Sequence, residues 1–308
     1  MSIARSLLLK AADSPWLAAQ MSKRRFSQRA IRKFMPGETM EDALQAAAVL
    51  ATQGQGSLLT QLGEAMTSLD AAAAVRDHYL QLFDEIAKRG IPAWVSIKPT
   101  QLGIDQSLAT CRDHLLQLGE AAAASRSSLW IDMEDHSYVD RTIELYAEVR
   151  QHHERTGLAI QAYLYRTPKD IEALLPLKPW IRLVKGAYRE PATVAFPAKR
   201  DVDAAYYDLA VRLLEAARAQ GALAVFGTHD VPLVERLRAK AKQLGVSRAD
   251  YEIHMLYGIK VSDQARLTRE GETIKTLVSY GHAWFKWYMR RLAERPANVW
   301  FALKSIIA

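Results

Sequence analysis

The chain has 308 residues, 49% hydrophobic and 24% charged, a balance that suits one α/β barrel and excludes collagen-like, fibrous or wholly disordered chains. Its net charge of +7 invites anionic ligands, an anionic membrane surface or nucleic acid. Yet Lys23-Arg24-Arg25 and Arg290-Arg291 are the sharpest basic clusters, and zinc-finger spacings and RNP-like aromatic motifs are missing, so no nucleic acid partner is expected.

In chain order, Met1 to Leu9 carries Arg5 and a short Leu7-Leu8-Leu9 run but soon meets Lys10, Asp13 and Pro15, a poor signal peptide. No apolar run approaches the roughly 18 residues that span a bilayer. The first ninety residues read as helical, with 1–53 an N-terminal helical segment of a single domain over 1–308. Leu44 to Ala51 is rich in Ala and Leu, and Asp70 before Ala71–Ala74 reads as an N-cap of a helix that Gly90 and Pro92 end.

Beyond Pro92 the pattern changes to short apolar runs alternating with amphipathic segments. Strands are expected at Ala93–Ile97, Leu129–Asp132, Ala159–Tyr163, Ile181–Val184, Ala224–Phe226 and Tyr251–Met255, with two more at Gly56–Leu62 and Thr276–Ser279. Helices are expected between them at Gln106–Ala124, Val139–Arg155, Pro168–Leu174, Asp203–Gln220 and Val231–Leu244. The alternation implies βαβ units and a parallel sheet, and the count favours a (β/α)8 TIM-like barrel over an open doubly wound sheet. A dinucleotide-binding fingerprint is missing: Gly54-Gln55-Gly56 lacks both the third glycine and a preceding strand. The single cysteine, Cys111, cannot make an internal disulfide, fits a reducing cytoplasm, and reads as a small buried apolar residue.

Each expected strand ends in polar residues. Lys98 follows the first, Asp132-Met133-Glu134-Asp135-His136 the next, then Gln161, then Arg182 with Lys185-Gly186-Ala187-Tyr188, then Thr228-His229-Asp230, then His254 with Leu256. In an α/β barrel these ends converge on one face, which holds the active site. Singly, each has a plain structural reading: a solvated lysine, an acidic helix start, a hydrogen-bonded core histidine. Together they point to a ligand cavity. Cations on the same face argue against a dedicated metal site. The Val184-Lys185-Gly186-Ala187 turn suits a phosphate, since glycine lets backbone N–H groups approach and lysine supplies charge. The basic aromatic run Trp284 to Leu292 reads as an amphipathic surface helix, a membrane-surface helix, or a lid whose paired Arg290 and Arg291 clamp a carboxylate.

The strings Val95-Ser96-Ile97-Lys98-Pro99, Ile131-Asp132-Met133-Glu134-Asp135-His136, Gln161-Ala162-Tyr163, Arg182-Leu183-Val184-Lys185-Gly186-Ala187-Tyr188, Thr228-His229-Asp230, Met255-Leu256-Tyr257-Gly258 and Arg290-Arg291-Leu292-Ala293-Glu294-Arg295-Pro296 strongly resemble the proline dehydrogenase family, in its monofunctional bacterial form. The resemblance runs from about Gly54 to Phe301. It implies a distorted (β/α)8 barrel binding FAD, oxidation of L-proline to Δ1-pyrroline-5-carboxylate by hydride transfer to flavin, and a membrane quinone as acceptor for a cytoplasmic protein that touches the bilayer peripherally. By the same resemblance Asp132 and Arg182 are catalytic, and Lys98, Arg290, Arg291, Tyr188 and Leu256 bind substrate. Met133, Gln161, Lys185, Gly186, Ala187, Thr228 and His229 bind the cofactor.

Four positions depart from the family pattern. The usual E-F-Q before Met255-Leu256 reads Glu252-Ile253-His254, Leu277 replaces the first tyrosine of Y-V-P-Y-G, Trp287 replaces a tyrosine before the arginine pair, and Ala283 replaces an acidic residue. These departures are expected at the substrate end of the pocket. They keep open a substituted proline or related cyclic amino acid as substrate, and a non-catalytic FAD-binding barrel.

Overall fold

The computed structural model describes residues 32–63 and 65–285. Eight parallel strands close on themselves in sequence order: β1 (Gly56–Gln61), β2 (Ala93–Ile97), β3 (Leu129–Ile131), β4 (Thr156–Gln161), β5 (Trp180–Val184), β6 (Leu223–Gly227), β7 (Tyr251–Leu256) and β8 (Ile274–Tyr280). β1 pairs with β2 through Ser57 to Ala93 and with β8 through Leu58 to Leu277, which decides between the barrel and the open sheet. All eight expected strands form. Three end earlier than expected, so Leu62, Asp132, Ala162 and Tyr163 stand in the loops just above them.

The strand residues sort into two apolar clusters. One set, including Leu59, Val95, Ile97, Ile131, Leu158, Ile160, Leu183, Phe226, Ile253 and Val278, is buried beneath the surrounding helices. The alternate set, Leu58, Trp130, Leu223 and Val225 with Trp94, Trp180 and Leu277, fills the barrel itself. Large and small residues interlock there: a Cβ on Gly157 would lie 2.5 Å from the Trp130 ring, and one on Gly56 would lie 2.5 Å from that of Trp94. Each fully enclosed Leu or Val in these layers contributes about 1.5–3 kcal/mol.

The helices are α1 (Met40–Thr52), α2 (Leu69–Arg89), α3 (Leu108–Ala124), α4 (Val139–His152), α5 (Thr167–Leu174), α6 (Lys199–Gln220), α7 (Val231–Leu244) and α8 (Val261–Arg269). α1 opens with a capping box between Thr39 and Asp42. α2 is capped by Ser68, whose hydroxyl accepts from Ala71 N, rather than by Asp70, which sits in the first turn where its charge suits the helix dipole. α8 was not expected: it is short and polar, and buries only Gln264 and Leu267.

Candidate functional site

At the C-terminal mouth of the barrel, Arg182 of β5 crosses the interior. Its Nη2 donates to Asp132 Oδ1 and, at 3.0 Å, to Ser96 Oγ, and Ser96 Oγ donates to the same Asp132 oxygen at 3.0 Å. The guanidinium lies 5.2 Å from the centroid of the Trp130 ring. Arg182 is only 5% exposed. Burial pushes its pKa below the usual arginine value and Asp132 opposes that, so a paired cation is held in place at the centre of the mouth.

Lys98 follows β2 on the same rim, half-buried, and its ammonium has no ion-pair partner among the described residues. Its backbone N–H donates to Gln101 Oε1 at 3.2 Å, and the Gln101 amide donates to Gln61 O at 2.9 Å and Gly63 O at 3.0 Å. The ends of β1 and β2 are thereby tied together. A held cation without a counter-ion is suited to an anionic group of a ligand.

Gln161 closes β4. Its amide donates to Glu134 O at 2.8 Å, while Glu134 accepts from Thr100 N at 3.0 Å and Thr100 Oγ1 at 2.7 Å. Gln161 Oε1 is left enclosed and without a hydrogen-bond partner among the described residues. An enclosed acceptor of this kind is satisfied by a ligand N–H or by water. Met133, next to Glu134 in the chain, is buried.

After β5 the chain runs from Lys185 to Ala198 as a strap over β4. Tyr163 N donates to Lys185 O at 3.1 Å, Phe196 N to Tyr163 O at 2.8 Å, and Glu190 takes the His136 ring and backbone N–H. Gly186 has φ +122°, and a Cβ there would sit 2.6 Å from Tyr163 ring atoms, so only glycine fits this close approach. Ala187 is exposed and Tyr188 half-buried on the strap. The Lys185 ammonium is not the free phosphate partner that its turn suggests. It donates to Asp203 at 2.6 Å and Asp230 at 2.8 Å. Burial draws its pKa down, but the two carboxylates outweigh this and leave it raised. What this turn offers an anion is its backbone and a shared, already paired charge. Thr228 Oγ1 accepts from Asp230 N at 3.2 Å, and His229 stands half-buried beside it. Next to Asp203 a groove of about 560 Å³ opens between Lys199, Arg200, Tyr207 and Arg236.

Leu256 ends β7, half-buried at the mouth, and Leu277 packs on the inner apolar cluster while remaining partly exposed. His254, expected at the substrate end, is instead enclosed below the mouth, edge-on to Trp130 at 5.2 Å. Ala283 is exposed. Arg290, Arg291 and Trp287 lie outside the described residues. Among the described residues no group of three or more His, Cys, Asp or Glu could hold a metal ion. Cys111 is fully buried, its thiol pushed up to about 12 by burial, as its apolar reading requires. Sequence reasoning missed Asp203 and Asp230 as the partners of Lys185, and Ser96 as the third member of the Arg182 cluster. Only Ser96, two residues before Lys98 on the inward face, could have been found from strand alternation.

Fold and rim together define an α/β-barrel protein whose strand ends gather polar and charged side chains around one buried guanidinium–carboxylate pair. The family model for proline dehydrogenase matches residues 43–303. Proline dehydrogenase 1 of Bacillus subtilis subsp. natto is 35% identical over 276 residues, covering 90% of each chain. Proline dehydrogenase 2 of the same organism is 32% identical over 306 residues, covering 99% of each, and proline dehydrogenase of Deinococcus radiodurans is 32% identical over 312, covering 98% of this chain and 97% of that one. The chain belongs to the proline dehydrogenase family. Among solved structures, proline utilization A from Bdellovibrio bacteriovorus, inactivated by N-propargylglycine, superposes with a TM-score of 0.82 at 23% identity over 96% of this chain. A variant of proline utilization A from Bradyrhizobium japonicum superposes at 0.74 and 22% identity over 88%. The chain spans about a third of their lengths, 36% and 31%, and at that identity the likeness speaks to the fold.

Proposed function

We propose that the protein oxidises L-proline to Δ1-pyrroline-5-carboxylate with FAD as a non-covalent cofactor. The observation that carries this reading is the rim itself: a buried, paired Arg182 and, on the same rim, a Lys98 with no ion-pair partner among the described residues, in a chain that belongs to this family. The residues present suit a flavin. Gln161 Oε1 is an enclosed acceptor in need of an N–H donor, and Gly186, packed against the Tyr163 ring at φ +122°, fixes the path of the turn that follows β5. Met133, Gln161, Lys185, Gly186, Ala187, Thr228 and His229 would hold the cofactor. When bound, FAD would supply the hydride acceptor and the electron relay toward a quinone.

The chain supplies placement and charge. Lys98, with Arg290 and Arg291, binds the substrate carboxylate, and Tyr188 and Leu256 wall the pocket. A charge-assisted bond to a carboxylate contributes about 1.5–3 kcal/mol, enough to orient a small ring. Arg182, held by Asp132 and Ser96, offers a fixed positive charge where negative charge accumulates on reduction, without reorganising at that moment. The 308 residues are read as one barrel domain with 1–53 as its N-terminal helical segment. No described helix is long and apolar enough to cross a membrane. We read the protein as cytoplasmic, reaching a membrane quinone by transient peripheral contact; liposome-embedded quinone should accept its electrons, and complete failure to do so would remove that contact.

A second reading, oxidation of a substituted proline or related cyclic amino acid, rests on Leu277, whose partly exposed apolar side chain lies on the inner wall. One experiment tests both. The protein is denatured to identify any released FAD, and its product from proline is trapped as the adduct of a cyclic imine with o-aminobenzaldehyde. FAD together with adduct formation supports the first reading. FAD with faster turnover of a ring-substituted proline establishes the second, and absence of FAD overturns the cofactor.

A further inference from the structure

The barrel interior beneath Arg182 carries charge that the chemistry above does not use. Glu252 of β7 and Lys275 of β8 meet inside the barrel at 2.6 Å, and His254 Nε2 lies 2.8 Å from the other Glu252 oxygen. His254 is 4% exposed and Lys275 5%. The Lys275 ammonium also sits 3.5 Å from the centroid of Trp94. His254 meets Trp130 edge-on with ring centroids 5.2 Å apart, and Arg182 packs on the same indole. One indole is thus shared by the deepest cation of the mouth and by this buried cluster.

Stability does not explain the cluster. A buried ion pair seldom outperforms apolar side chains of the same volume, and the surrounding positions already hold Leu58, Leu223, Val225 and Leu277. The cluster is charge-balanced: Glu252 against Lys275 below, Asp132 against Arg182 above. His254 between them is neutral, since burial holds its pKa down to about 4 against the opposing pull of Glu252. Its Nε2–H then donates to Glu252. Nδ1 is enclosed and has no partner among the described residues, so only one edge of the ring is anchored, and that anchor is Glu252.

We propose that Glu252, His254 and Lys275 form a positioning unit for Arg182. Lys275 clamps the Glu252 carboxylate, the carboxylate fixes the His254 ring, His254 fixes the Trp130 indole, and the indole sets the height of the guanidinium at the mouth. The pairing of Glu252 with Lys275 also keeps the cluster from adding net charge to the field of Arg182. The inference rests on the reading of Arg182 as the cation that faces the cofactor, and it adds three residues that touch neither substrate nor reacting atoms.

The test has two arms on the full-length protein. In the first, ¹⁵N imidazole resonances are recorded from pH 8 to pH 5.5, with the His254 signals assigned by their loss in His254→Gln. A neutral ring protonated at Nε2 throughout is expected; a ring protonated at Nδ1, or charged in that range, overturns the proposal. In the second, the midpoint potential of the bound flavin is measured. Lys275→Met should shift it negative, Glu252→Gln positive, and the double variant should return it to the wild-type value. His254→Gln, which can keep the bond to Glu252, should retain the wild-type potential and kcat; His254→Ala should lower kcat at unchanged KM. Shifts of the same sign in the two single variants, or wild-type behaviour in His254→Ala, would refute the unit. Where a single variant fails to fold, the double variant and His254→Ala decide. A protein that carries no FAD refutes the cofactor reading instead, and the imidazole arm then judges the unit alone.

Discussion

Lowering the pH from 8 to 5 should destabilise the wild-type protein through His254, and His254→Gln should remove that part of the loss. The imidazole titrates near 6.5 in the unfolded chain and at about 4 in the barrel, because burial penalises the charged ring by more than Glu252 supports it. Between those values the unfolded chain takes up a proton that the native state refuses. Stability from the neutral ring is therefore fully present above 6.5 and lost as pH falls toward 4. At 1.36 kcal/mol per pH unit the whole window is worth about 3 kcal/mol, and about 2 kcal/mol of it is gone by pH 5. Glu252 works in a lower window: burial would raise its carboxyl, but the His254 bond and the Lys275 charge hold it down to about 2 against an ordinary 4.5, so its contribution is present above 4.5 and fails only below that. At pH 5 the two effects are separable. Urea unfolding of wild type and variant at both pH values, with the difference of differences taken, cancels the other histidines. A difference that stays constant within about 0.5 kcal/mol, the scatter expected of independent sites, would mean that His254 is not a neutral buried ring.

Gly186→Ala should lower Tm by several degrees and weaken flavin retention, since the added Cβ meets the Tyr163 ring at 2.6 Å in a backbone conformation that disfavours side chains; unchanged melting and colour would show that the strap adapts freely. Lys98→Met should raise KM for proline roughly 10- to 100-fold with a smaller effect on kcat, as loss of one charge-assisted bond requires, and Arg290→Met should act in the same direction; a normal KM in steady-state assays removes either residue from the carboxylate site. Arg182→Met should slow flavin reduction in stopped flow while the circular dichroism spectrum is kept, and an unchanged rate would leave Arg182 a structural role only.

The barrel was legible because its strands are short, apolar and bounded by turn residues. Even Gly56–Gln61 and Ile274–Tyr280, the least marked of the eight, carry a short apolar centre, Leu58-Leu59 and Leu277-Val278. α8 was missed because its nine residues bury only two side chains, too little for a helical stripe to show. Ser68 and Asp70 are both good N-caps, and sequence alone does not separate two candidates two residues apart. At the site, rim residues followed from strand ends, whereas their pairings did not. Lys185 finds Asp203 and Asp230 across 18 and 45 residues, distances at which no local periodicity operates. His254 looked like a change at the substrate pocket because it precedes Leu256 on one strand. Alternation does point its side chain inward, as it does that of Leu256, but two residues deeper, against the edge of Trp130 rather than at the mouth.

The most direct test of the central claim is anaerobic mixing of the purified protein with L-proline while absorbance is followed near 450 nm, about where oxidised flavins absorb. Bleaching within the first turnovers is predicted, and would establish flavin, hydride transfer and substrate class together. A yellow protein that stays yellow with proline would contradict proline as substrate while keeping the flavin, and a colourless one would contradict the cofactor.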